Sequence, residues 1–260
     1  QDGGAINAGG NVTVTINSSL TDNTATGSGG AIKAGGDVTV SSNSSLTNNT
    51  ATGSGGAVQA GGNVSVSEST LTDNTATTGN GGAISAGDQV TVSASTLNSN
   101  TAELGTGGAI STTAYAAVSI SGSELKTNSA LINGGAIAAR GAVEVSASTL
   151  NSNTAELGNG GAISTVGAVT VSASTLNSNT AEGSGGAIST IGAVTVSESS
   201  TVSSNTAKEN GGAISALGAV TVSASAFVAA SVSFFFFSAA ALADATCLSR
   251  SAFSKPVICP

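Results

Sequence analysis

Gly81-Gly82-Ala83-Ile84-Ser85-Ala86-Gly87-Asp88-Gln89-Val90-Thr91-Val92-Ser93 decides the fold, together with Leu97, Asn100, Thr101 and Ala102 just downstream. The same sentence is written nine times. Gly-Gly-Ala followed by Ile or Val begins at Gly3, Gly29, Gly55, Gly81, Gly107, Gly134, Gly160, Gly185 and Gly211, in steps of 26, 26, 26, 26, 27, 26, 25 and 26 residues. A fixed period in this range marks a stack of structural units, each touching only its neighbours.

Within one copy, Val90-Thr91-Val92-Ser93 alternates with period two, as a half-buried strand does. Ile84 faces in, and the mostly polar residue after it (Asn7, Lys33, Gln59, Ser85, Ser111) faces out. Leu97 sits on a third short strand. Gly and Asn mark the corners, where positive φ is cheap. Three strands per turn, stacked on parallel neighbours, predict an all-β, right-handed parallel β-helix of about nine coils. Residues 1–225 form the array, and 226–260 an atypical tail.

Composition narrows the function. There are 36 Gly and only 2 Pro, with 3% aromatic and 8% charged residues, so the core must be filled by Ala, Val, Ile and Leu. The net charge of −8, with 6 Lys and Arg, excludes a basic nucleic-acid surface and disfavours anionic lipid. No cofactor or metal is expected. Glu103, Glu156 and Glu182 share one repeat position, but calcium needs six to eight oxygens and these read as solvated charge. A catalytic constellation needs convergent titratable groups. The chain has no His, and the array holds only Arg140, Lys33, Lys126 and Lys208 as cations and Tyr115 as phenol. A polysaccharide-active β-helix enzyme is therefore the least favoured reading, and the protein is expected not to be an enzyme.

One position is Asn eight times: Asn23, Asn49, Asn74, Asn100, Asn128, Asn153, Asn179 and Asn205. Each comes three residues after Leu or Val. Stacked coils would bring these amides into a ladder, a structural role rather than a ligand site. The outward positions of the Val-x-Val strand, from Thr13 and Thr15 through Thr91, Ser93, Glu144, Thr170 and Ser172 to Thr221 and Ser223, form a hydroxyl array. An ice-binding face is one reading of it; solvent-facing strand residues, interrupted by Glu144, are the favoured one. The sequons at Asn11, Asn17, Asn43, Asn48 and Asn63 are what a Ser/Thr/Asn-rich chain produces by chance. Val90–Glu103 and Val169–Glu182 read alike, which points to internal duplication.

Gly-Gly-Ala-Ile alternating with hydrophobe-x-x-Asn resembles the repeats of the chlamydial polymorphic membrane proteins over residues 3–230. In that family the second motif is Phe-x-x-Asn. Here eight copies carry Leu or Val, and Phe227 restores Phe where Ala230 replaces Asn. The resemblance implies the passenger of an autotransporter, displayed by an outer-membrane barrel that these residues do not include, at the cell surface or secreted. It implies adhesion to an unidentified host-cell or environmental receptor. Carried over by motif, the binding residues would be Gly29, Gly30, Ala31, Ile32; Gly81, Gly82, Ala83, Ile84; Gly107, Gly108, Ala109, Ile110; and Gly160, Gly161, Ala162, Ile163.

Gln1-Asp2 directly precedes a motif, so the chain reads as a piece that starts inside an array. Cys247 and Cys259 both lie in the tail, so disulfides do not staple the coils. Ala226–Ala243, with Phe234–Phe237, is apolar enough for a cap, a membrane anchor or an out-of-frame segment.

Overall fold

The computed structural model describes residues 1–228. It is a parallel β-solenoid, with one turn per repeat and no helix among the described residues. The strands sort into four sheets that run the length of the stack. The first collects Ile6–Ala8 through Ile214–Ala216, and the second Val12–Val14 through Val220–Val222. The third runs from Ser19–Thr21 to Ala226–Val228, and the fourth from Thr24–Ala25 to Thr206–Ala207. Three sheets have nine strands and the fourth has eight, so eight coils are complete and a ninth contributes three strands. At about 4.8 Å per coil the stack is roughly 40 Å long. The third sheet's last strand, Ala226–Val228, pairs with Thr201–Ser203, so the array passes the expected boundary at 225. The expectations for the rest of the tail lie outside the described residues.

Every pairing is parallel and places a residue on its own copy. Ile84 lies on Ile110, Val90 on Val118, Leu97 on Leu125 and Ala102 on Ala130. The inward columns are fully buried: Ala83, Ile84, Val90, Val92, Leu97 and Ala102 are all at 0% exposure. Each of the larger four contributes about 1.5–3 kcal/mol by leaving water.

The fourth sheet corrects the expectation of three strands per turn. Thr101–Ala102 is a strand of two residues, too short for alternation to reveal. It closes the coil directly against the Gly-Gly corner. The first Gly of the motif turns at positive φ (Gly81, 69°). The second packs against backbone on two sides: a Cβ on Gly82 would overlap the Gly108 carbonyl oxygen of the next coil and crowd the Thr101 N–H at 2.5 Å. Ala83 and Ile84 then both donate to one carbonyl, that of Ala109, at 3.1 and 2.8 Å.

The other corners also differ from expectation. None of the eight repeated Asn has positive φ; the residue before it does, as in Asp73 (56°), Ser99 (55°) and Thr127 (54°). A second left-handed corner comes after the second strand. It holds one such residue in most coils (Glu68, Ala94, Ala147, Ala173) but two in the first, second and eighth: Ile16 with Asn17, Ser42 with Asn43, and Glu198 with Ser199. The spacing changes accordingly. Val64 to Asn74 is ten positions and Val38 to Asn49 is eleven, and the loop from Asn to the next Gly-Gly shortens from seven (Asn74 to Gly81) to six (Asn49 to Gly55). Two single-residue changes cancel and the period holds.

The two kinds of glycine should separate on substitution. Gly82→Ala should lower unfolding stability by about 1–3 kcal/mol through overpacking. Gly10→Ala, whose Cβ would meet nothing within 4 Å, should be close to neutral. Chemical unfolding monitored by circular dichroism measures both.

Candidate binding surfaces

The repeated Asn side chains occupy the turn between the third and fourth sheets, at 0% exposure from Asn49 to Asn179. Asn100 shows how the amide is used. Its Nδ2 donates to Asn128 Oδ1 at 3.0 Å and to the Leu71 carbonyl at 3.0 Å. Its Oδ1 accepts from Asn74 Nδ2 at 3.0 Å and from the Asn74 backbone N–H at 3.1 Å. Both donors and both lone pairs are engaged, leaving no hydrogen-bonding capacity for a ligand. The ladder expected from sequence is present.

A second ladder runs beside it, and sequence reasoning missed it. Ser69, Ser95, Ser123, Ser148 and Ser174 are each at most 5% exposed. Ser95 Oγ accepts from the Ser69 backbone N–H at 3.1 Å and donates to the Ser93 carbonyl at 2.6 Å. The same pair of bonds recurs at Ser123, Ser148 and Ser174. A Ser five residues before every ladder Asn was the available signal, hidden by the abundance of Ser.

The motif residues carried over as binding candidates are placed together, but inside. Gly29 to Ile32, Gly81 to Ile84, Gly107 to Ile110 and Gly160 to Ile163 are all buried. Their side chains form the inner wall of the first corner, so a surface ligand cannot reach them. Ser85 and Ser111, expected to face solvent, are only 4% exposed; Gly107 lies close over the Ser111 Cβ. The Gly-Gly turn folds back over the outer side of the first strand.

Elsewhere on the first sheet Asn7 is exposed and Lys33, Gln59, Ser164, Ser189 and Ser215 are half-buried, while the regular hydroxyl columns lie on the other three sheets. On the second, Thr91 stacks between Ser65 and Ser119, and Ser93 between Ser67 and Ser121, so the hydroxyl columns are in register. Glu144 interrupts the first column between Ser119 and Thr170. On the third sheet Glu124 and Lys126 interrupt similar columns between Thr96 and Thr149 and between Asn98 and Asn151. The fourth sheet carries the most regular column, also missed: Thr24, Thr50, Thr75, Thr101, Ser129, Thr154, Thr180 and Thr206.

Charges are sparse and local. Glu182 pairs with Lys208 on the next coil, and Glu156 accepts from Ser129 Oγ at 2.9 Å. Among the described residues no group of three potential metal ligands converges. Asp2 is held below the ordinary carboxylate range, chiefly because the Ser28 backbone N–H donates to it at 2.8 Å; desolvation opposes, and Lys33 and the terminal ammonium assist. That contact helps hold the first loop at neutral pH and is lost as pH falls through the lowered pKa. A dent of about 400 Å³, lined by residues including Asn43, Glu68 and Ala94, marks where the two-residue corner of the second coil meets the one-residue corner of the third.

The Chlamydia polymorphic membrane protein repeat matches at residues 17–35, 37–61, 68–87 and 199–217. These four stretches of the chain are similar to that repeat. Each matched stretch runs through Leu or Val, the ladder Asn and the Gly-Gly-Ala corner, as in Leu71, Asn74 and Gly81. The polymorphic membrane protein signature is thus the scaffold of the coil: third sheet, amide ladder, fourth sheet and corner. Three of the four stretches omit the Val-x-Val strand and its hydroxyls. No curated protein and no solved structure matches the chain significantly.

The two ladders should be separable from the exposed hydroxyls. Asn100→Ala strips partners from Asn74, Asn128 and Leu71 and should cost about 1–3 kcal/mol, and Ser95→Ala about 1 kcal/mol. Thr91→Ala, on the outer face, should fall within about 0.5 kcal/mol of the parent. Unfolding midpoints of the three variants test the ranking.

Proposed function

We propose that the protein is a non-catalytic surface passenger, at the outer membrane or secreted, that adheres through its repeated outer faces. The observation that carries this reading is the division of labour in the coil. The residues matching the polymorphic membrane protein repeat are committed to packing and hydrogen bonding, while Ser, Thr and Asn are presented in regular columns. The family's name implies a bacterial membrane protein, which supports a surface location. A column offers the same weak polar contact once per coil, so adhesion to an unidentified host-cell or environmental receptor would be polyvalent, with small contacts summing along the stack.

Ice binding is the second reading, favoured by the in-register Thr column of the fourth sheet. The charged interruptions at Glu124, Lys126 and Glu144 on the neighbouring faces count against it, and thermal hysteresis of the purified protein is expected to be absent.

Beads coated with the full chain should adhere to candidate cell or environmental surfaces more than beads coated with an unrelated acidic protein. Replacing Thr91 and Thr170 by Lys, on the outer face, should reduce that excess without changing the fold. Equal adhesion of both bead types, together with turnover of a polysaccharide substrate, would reject the reading.

A further inference from the structure

One corner of the solenoid changes character halfway along. It is the turn between the first and second sheets. In the first four coils it is made of Gly9-Gly10, Gly35-Gly36, Gly61-Gly62 and Gly87-Asp88, so no large side chain projects there. Asn11, Asp37 and Asn63 beside it point along the stack and accept the backbone N–H of Asp37, Asn63 and Gln89. In the last five coils the equivalent position, three residues before the second strand, is Tyr115, Arg140, Val166, Ile191 and Leu217. Tyr115 is 77% exposed, Ile191 58% and Leu217 82%. Ala142, Ala168, Ala193 and Ala219 extend the apolar strip on one side and are also exposed. Elsewhere on the described surface, large exposed apolar residues form only the short column Leu104, Ile132 and Leu157 and the single Ile16.

A glycine trough, edged by the exposed Asn11, Asp37 and Asn63, continues on one line into an apolar ridge, and the two can pair under a two-fold axis. We propose that this corner is a self-association surface on which two copies pack antiparallel, the ridge of each lying on the trough of the other. Its partner is a second copy of this chain because the periods match: both surfaces repeat once per coil, about every 4.8 Å, so successive side chains stay in step along the contact.

The register is set by the middle coil. With the fifth coil on the axis, Tyr115 meets its own copy. Arg140 of the sixth coil faces the fourth, where exposed Asp88 offers the opposite charge. Val166 faces Gly61 and Gly62, Ile191 faces Gly35 and Gly36, and Leu217 faces Gly9 and Gly10. A parallel pair would set Arg140 against Arg140 and leave trough over trough. The contact runs along the stack for roughly 38 Å at about 4.8 Å per coil, so each coil of one copy meets one coil of the other.

Sedimentation velocity of the full chain over a wide concentration range tests the proposal. A reversible dimer is expected. Ile191→Asp should weaken it about tenfold or more, and Arg140→Asp should weaken it and Asp88→Arg in the same chain restore it. With Cys247 and Cys259 replaced by Ser, Tyr115→Cys should form a disulfide-linked dimer on mild oxidation, because the two-fold axis brings that position onto its copy. Circular dichroism confirms that each variant keeps its β signature. A chain that stays monomeric at every concentration would overturn the proposal. So would a dimer that ignores Ile191→Asp, or a charge swap that fails to restore association.

Discussion

Everything in this solenoid depends on axial hydrogen bonding in one-to-one register. Each residue sits on its own copy at about 4.8 Å, so each position must tolerate itself as a neighbour. Apolar residues do so by packing, which yields the Ile, Val and Leu columns. Asn does so because an amide is both donor and acceptor, and Ser because its hydroxyl can accept from one coil while donating within its own. Like charges do not, since carboxylates stacked at that distance repel. The low charge content and the placement of Glu144 and Glu124 between uncharged neighbours obey this rule. Glu156 and Glu182, on successive coils at one position, are the exception, and each carboxylate has its own partner: Ser129 Oγ for Glu156 and Lys208 for Glu182.

The same rule explains where variation is tolerated. A coil can change length only if its strands still land on their copies, so additions fall at corners. The fifth coil has two extra residues between Ile110 and Val118 and one fewer between Asn128 and Gly134 than the fourth has at the same places, and its strands remain in register on both sides. Left-handed residues such as Ala94 and Ala173 carry a strain of about 1 kcal/mol that glycine would avoid. The stack holds them because the adjoining Ser ladder fixes the corner from both neighbours.

Much of this was legible in the sequence. The period of the Gly-Gly-Ala-Ile motif revealed the stack, the alternation in Val90–Ser93 revealed a wall, and the eight-fold Asn revealed the amide ladder. What stayed hidden had physical reasons. The Thr101–Ala102 strand is too short to alternate. Ser95 looks like any other Ser until its neighbour's N–H is seen pointing at it. The left-handed corners use Ser, Ala and Asp, which do not announce positive φ as Gly does. Tyr115, Arg140, Val166, Ile191 and Leu217 share no residue type, so their common exposed line emerges only when the coils are stacked. The carried-over binding motif failed as a surface because recurrence marks what the stack needs, and at Gly81–Ile84 the stack needs a buried corner.

The scaffold and the outer faces therefore answer to different demands, and the central claim concerns the scaffold: buried amides and hydroxyls lock each coil to the next. Side-chain carboxamide hydrogen exchange, monitored by NMR on the intact protein, measures this directly. Nδ2 protons of Asn74, Asn100, Asn128 and Asn153 should be strongly protected, exchanging only when coils separate, while that of exposed Asn11 exchanges at the rate of a free amide. Free-amide exchange at the four buried positions in the folded protein would contradict the account.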